Sequence, residues 1–208
     1  MPGPSTCPAA TAAFDAACRA FGGLDVVVVN AGIARVAAIV DEEAAGFREL
    51  LEVNQVGAFL TLREAGRRMI AQGLGGAVVL VSSKNVLGPG ADFGAYSASK
   101  AGAHQLARVA ALEWAAHGVR VNMVCPDAVF RHGAQESGLW KTVAPARARS
   151  RGVEVSELED YYTRRNLMKR TIRAEDVGRA VLFFAAETTP TTGALLRVDG
   201  GVASAMPR

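Results

Sequence analysis

Long hydrophobic runs are missing from this 208-residue chain. The richest, Val26 to Val29, is strand-sized and far short of the ~18 apolar residues a membrane span requires. Cysteine is scarce. Cys7, Cys18 and Cys125 are odd in number and share no CxxC spacing, so they read as reduced thiols of a cytoplasmic protein rather than a disulfide framework. The opening residues, Met1 to Pro8, have neither the basic flank nor the apolar block of a secretory signal. His104, His117 and His132 show no metal-ligand spacing; they are expected on the surface or a lid, and no metal site is expected. A net charge of +3 is mild for this length, and no recognition motif or aromatic interleaving marks a nucleic-acid binder. What remains is a chain half apolar, with scattered glycines, which excludes disorder and a collagen-like repeat. One globular domain over 1–208 is expected.

Helical and strand patterns alternate along it. Ala9 to Phe21 carries Phe14, Cys18 and Phe21 at helical spacing and stops at Gly22-Gly23. Val26 to Val29 is apolar on both faces, as a parallel strand covered by helices on both sides must be. A helical stretch from Asp41 to Gln72 is expected to break near Gly46, with polar residues around Asn54. Ala77 to Val81 and Val119 to Val124 read as further buried strands, the second stopped by Pro126. Between them lies a helix from Gly94 to His117, with Gly118 at its left-handed C-cap. Asp127 to Arg173 reads as a long polar segment with short helical patterns such as Val155 to Arg165. A final amphipathic helix, Ala174 to Ala186, and a strand, Ala194 to Val198, follow. This order implies an α/β fold with a doubly wound parallel sheet.

The chemistry-bearing pattern is Tyr96-Ser-Ala-Ser-Lys100 at a helix start, with Ser83 just beyond a strand's carboxyl end. Tyr96 and Lys100, at i and i+4, share a helix face ~6 Å apart. A phenol titrates near ~10, and a neighbouring ammonium would lower that value, as acid–base work at neutral pH requires. The Ser83 hydroxyl would orient a carbonyl or alcohol in the crevice outside the strand ends. On an arbitrary helix such a Tyr–Lys pair is usually a solvated face. Ser97 to Lys100 also fits the SxxK of serine acyl-hydrolases, but the partner Ser-Asp-Asn and Lys-Thr-Gly motifs are absent.

In carrying these residues, the chain resembles the short-chain dehydrogenases/reductases from about Ala9 onward. Val29-Asn30-Ala31-Gly32 is similar to that family's Asn-Asn-Ala-Gly, with Val29 in place of the first Asn, and Asn54 matches its helix asparagine. The resemblance implies a tetrad of Asn54, Ser83, Tyr96 and Lys100. Tyr96 would be the general acid/base, Ser83 would polarise the substrate, and Asn54 would support a water in the proton relay. Lys100 would hold the nicotinamide ribose and depress the Tyr96 pKa. Asn30, Ala31, Gly32, Tyr96, Lys100, Pro126, Asp127 and Val129 would touch an NAD or NADP cofactor. Asn30 and Asn54 also have structural readings, as a tie between strands and as a polar kink. Within the family, Cys125-Pro-Asp-Ala-Val-Phe-Arg131, Leu158-Glu-Asp-Tyr-Tyr and Asn166-Leu-Met-Lys-Arg170 resemble the dehydrogenase half of bifunctional rhamnulose-1-phosphate aldolase/lactaldehyde dehydrogenases. That resemblance implies a small hydroxy/carbonyl substrate, lactaldehyde foremost, and a homo-oligomer. Asp127, where the family usually has Gly, would orient a substrate hydroxyl or cap a turn.

The family's Thr-Gly-x-x-x-Gly-x-Gly turn, which lets backbone approach a pyrophosphate at a helix N-terminus, is absent. Gly88-Pro-Gly90 follows the Ser83 strand, and Gly73 to Gly76 precedes a strand. The expectation is therefore a truncated Rossmann-like sheet lacking the family's first three strands, with Val26 to Val29 left as an exposed apolar edge. It leaves open an alternative function: a non-catalytic remnant or assembly domain that binds no dinucleotide. The basic run from Lys141 to Arg173 is expected to be mainly a solvated helical surface, with a lid recruiting an anionic or sugar-derived ligand as the other reading.

Overall fold

The computed structural model describes residues 8–131, 133, 137–186 and 189–206. Cys7 and His132 lie outside the described residues. Four parallel strands form the main sheet: β1 (Val26–Val29), β2 (Gly76–Val81), β3 (Val119–Pro126) and β6 (Leu195–Val198), in the order β1-β2-β3-β6. The α/β parallel architecture expected from the alternation is present. One face is covered by α3 (Gly57–Gln72) and α4 (Gly94–Trp114), the other by α7 (Ala174–Ala185). A helix α1 (Pro8–Phe21) leans on α3, where Arg68 donates to Asp15 at 2.5 Å and lies over the Phe14 ring.

The sheet is buried on both sides where it is covered. Val78, Leu80, Val121 and Met123 pack against α3 and α4, and Val79 and Val124 against Ala180 and Phe184 of α7. Each such side chain contributes roughly 1.5–3 kcal/mol of burial. On α4, the buried residues Ala103, Ala107, Ala110 and Ala111 recur at helical spacing, so the helix settles close to the strands. The α3–α4 contact is as tight. A Cβ on Gly66 would stand 2.5 Å from Cζ2 of the Trp114 ring. Gly66→Ala is therefore expected to destabilise by about 1–3 kcal/mol through overpacking. Thermal unfolding followed by circular dichroism would show it, and an unchanged midpoint would refute this packing.

Arg120 and Asn122 on β3 hold the segment that leads into β6. Arg120 donates to the carbonyls of Phe184 and Ala186, and Asn122 to that of Thr191, while Ala194 N donates back to Asn122 Oδ1. At the opposite side of the sheet, β1 pairs only with β2. Val27 and Val29 face the core, but Val26 and Val28 are each 43% exposed, so the expected apolar edge is there.

Several boundaries differ from expectation. Helix α2 (Ala44–Leu51) runs through Gly46 without a break, because that glycine makes room for the Arg35 guanidinium, 2.6 Å from where a Cβ would stand. The irregularity falls later, as a π-helical turn over Glu52–Val56 centred on Asn54. Strand β3 continues to Pro126, which still aligns with Val198. Gly118 adopts φ +71° as expected, after a short 3-10 turn ends the helix run. The long polar segment expected to carry short helical patterns holds α6 (Leu158–Arg165), inside the expected Val155 to Arg165, and also a full helix α5 (Gly138–Arg151) and a parallel pair of short strands, β4 (Val129–Phe130) and β5 (Ile172–Arg173). Pro145 hides α5 in the sequence, since proline inside a helix removes a hydrogen bond. Burial of Val143, Arg147 and Ala148 outweighs that loss.

Candidate active site

Parallel strands deliver their carboxyl ends to one edge, and a cavity of about 190 Å³ opens there. Ser83 follows β2, Pro126 ends β3, and Asn30 and Gly32 follow β1; all four line the cavity. Tyr96 and Lys100 reach it from the first turns of α4, and Asp127 and Val129 from the segment after β3. A wider crevice of about 590 Å³ shares Asn30, Gly32, Val81, Pro126 and Val129 and continues to α7. Ala31 and Asn54 line neither space.

Asn54 sits behind the site and braces it. Its Nδ2 donates to Ile33 O at 2.9 Å and to Ser99 Oγ at 2.9 Å, and its Oδ1 accepts from Ile33 N at 2.8 Å. Ser99 in turn donates to Tyr96 O. The asparagine on the π-helical turn thus links the loop after β1 to the start of α4. Among the described residues no side-chain hydrogen bond ties Asn30 to a neighbouring strand.

Burial raises the Tyr96 phenol pKa, and the neighbouring Ser83 hydroxyl offsets only part of that rise. Lys100 donates to Val81 O at 3.1 Å, and burial brings its own pKa down to about 8. The expected depression of Tyr96 by Lys100 is therefore not found in this pocket. The ammonium is directed at a backbone carbonyl, and desolvation dominates both groups. His104, expected at the surface, is buried and shares a 3.2 Å hydrogen bond with Ser82 Oγ. Asp127 caps no turn; its carboxylate pairs with Arg165.

Gly32 is where a cofactor fit can be judged. A Cβ there would meet Asn54 Oδ1 at 3.1 Å and Lys100 Nζ at 3.2 Å, so the bare backbone leaves a polar cradle beside Tyr96. Together with Pro126 and Val129, that cradle fits the nicotinamide–ribose end of a dinucleotide. The Thr-Gly-x-x-x-Gly-x-Gly turn that would take the pyrophosphate does not occur in this sequence.

A family model described as enoyl-(acyl carrier protein) reductase matches residues 6–203. The chain is 35% identical over 182 residues to a short-chain dehydrogenase/reductase of Armillaria gallica, covering 87% of this chain and 66% of that protein. The chain belongs to the short-chain dehydrogenase/reductase family. An uncharacterised oxidoreductase of Bacillus subtilis (strain 168) is 39% identical over 197 residues, which are 94% of this chain but 28% of that protein. Among solved structures, a sorbitol-6-phosphate 2-dehydrogenase from Erwinia amylovora superposes with a TM-score of 0.84 at 28% identity, over 96% of this chain and 76% of that one. This short-chain dehydrogenase/reductase chain thus spans about two thirds or less of the length of these two sequence relatives. No helix among its described residues is long and apolar enough to cross a membrane.

Sequence reading missed one side of the family's cavity. Lys84, Trp140, Arg147, Tyr162 and Arg165 all line it. The basic run expected to be a solvated surface turns two of its members inward: Arg147 is 1% exposed, and Arg165 faces Asp127. For Arg147 the signal was its i, i+4 spacing from Val143 on one face of α5, obscured by Pro145.

Proposed function

We propose that this chain carries the catalytic half of an NAD- or NADP-dependent oxidoreductase for a small hydroxy/carbonyl compound. The observation supporting the reading is the meeting of Ser83, Tyr96 and Lys100 in one cavity at the carboxyl ends of parallel strands. The nicotinamide, when bound, supplies or accepts the hydride. Tyr96 hands the accompanying proton to, or takes it from, the substrate oxygen, and Ser83 hydrogen-bonds that same oxygen. Lys100 holds the ribose, and Asn54 fixes the loop carrying Asn30, Ala31 and Gly32 while supporting a water on the proton route. Pro126, Asp127 and Val129 form the wall beyond the nicotinamide. Lactaldehyde, named by the resemblance to the bifunctional dehydrogenases, is the first substrate to try; the structural relative acts on a phosphorylated polyol, as its name states. Exposed Phe59, Val109 and Leu112 on α3 and α4 support self-association into a homo-oligomer.

The test is a titration of NADH and NADPH into the purified chain, followed by nicotinamide fluorescence. Micromolar binding is the expected result. No binding below millimolar concentration would overturn the reading in favour of a domain that keeps the sheet but takes no dinucleotide. The missing glycine-rich turn is what makes that second reading worth testing.

A further inference from the structure

The cavity holds more positive charge than the proposed chemistry uses. Beside Lys100, its walls present Lys84, Arg147 and Arg165, and among the described lining residues only Asp127 is acidic. None of the three can move away into water easily. Lys84 is 5% exposed and spends one proton on Gly88 O at 2.8 Å. Arg147 is locked by Nε donating to Tyr162 Oη at 2.7 Å and Nη1 to Ala91 O at 3.0 Å, with its guanidinium 4.5 Å from the Phe93 ring centroid. Arg165 lies 4.5 Å over the Tyr162 ring and pairs through Nη2 with Asp127. Its Nε is buried and finds no acceptor among the described residues.

Clustered cations in a poorly solvated space repel one another, and a donor without an acceptor there costs free energy. An oxyanion would relieve both. The lowered pKa of Lys84, brought to about 8 chiefly by burial with the three arginines 165, 147 and 151 adding to it against Asp127, agrees with a site short of negative charge. Rigid guanidinium forks backed by aromatic rings also suit a carboxylate or phosphate better than a neutral hydroxyl.

We propose that Lys84, Arg147 and Arg165 form an oxyanion subsite, which holds a carboxylate or phosphate monoester of the substrate while its hydroxyl or carbonyl lies at Tyr96. The word substrate rests on the function proposed above, but the subsite does not need the dinucleotide. Neutral lactaldehyde lacks the group this wall recognises. The cluster therefore selects anionic hydroxy/carbonyl compounds over it.

The experiment is calorimetric titration of the full chain, without cofactor, with two matched pairs. Glycerol 3-phosphate against glycerol tests the phosphate ester, and lactate against 1,2-propanediol tests the carboxylate. At least one anion is expected to bind ten-fold or more tighter than its neutral partner, on the order of one charge-assisted hydrogen bond. Which pair responds identifies the group. Lys84→Met should weaken that anion about ten-fold, whereas Asp127→Asn, which frees Arg165, should tighten it. Equal binding within both pairs, or no anion bound below about 10 mM, overturns the subsite. So does a shift of both variants in one direction, the mark of a structural ion cluster. These readings stand whatever the NADH titration gives, so failure of one proposal is distinguishable from failure of the other.

Discussion

Tyr96→Phe should reduce turnover by about 10²–10⁴-fold, the usual worth of a positioned general acid or base. The substitution removes one oxygen from a side chain that stays packed through its ring, 5.5 Å from that of Phe93. Folding and NADH affinity should therefore hardly change, and the loss should fall on kcat. The pH profile adds a signature that a structural role would not give. Burial raises the phenol's pKa, so at neutral pH Tyr96 is protonated and ready to donate in the reducing direction. In the oxidising direction the phenolate must accept the proton, so that rate should climb with pH in the wild type and lose the climb in the variant. Steady-state kinetics in both directions would check this. Full activity in Tyr96→Phe would remove Tyr96 from the mechanism.

The second large effect is expected of Asn54→Ala. Asn54 is 1% exposed and makes three hydrogen bonds, two to the backbone of Ile33 and one to Ser99. Alanine would leave these partners unpaired and open a gap at the π-helical turn. At about 1 kcal/mol for each bond, a loss of ~2–3 kcal/mol follows. For a chain of this size that lowers Tm by roughly 5–10 °C. Ser99→Ala, which removes one of the three together with the bond from Ser99 to Tyr96 O, should lose about two thirds as much. The loop after β1 should also loosen against Lys100, which faces Gly32, so amide exchange over residues 30–34 should quicken. Calorimetry with hydrogen exchange would measure both, and an unchanged Tm with unchanged exchange would show that Asn54 braces nothing.

Much of this molecule was readable before any coordinates, where local pattern carried the information. The valine run of β1 and the apolar β2 read as covered parallel strands; both are parallel strands and β2 is covered, but β1 is buried only through Val27 and Val29, and Val26 and Val28 stay exposed. Tyr96 and Lys100 needed only the helical repeat to share a face. Ser83 needed only its place after a strand, and the three meet in one cavity. Legibility failed where long-range contacts overrule local preference. Pro145 argues against a helix, yet α5 forms because its buried residues dock on the rest of the fold. Gly46 argues for a break, yet α2 continues past it because Arg35 needs the space. His104 looks like a surface residue until α4 lies on the sheet and brings it against Ser82.

The meeting of Tyr96 and Lys100 at the strand ends was thus determined by the sequence itself, because i, i+4 spacing and strand ends are local geometry. Two things were decided only by tertiary structure. The electrostatics of the pair is one: desolvation is the largest cause of the shifts that raise the Tyr96 pKa and lower that of Lys100, and it does not act until the chain is folded. The cationic wall is the other. Lys84, Arg147 and Arg165 come from segments up to 81 positions apart, and only the docking of α5 and α6 over the strand ends turns their charges toward one space.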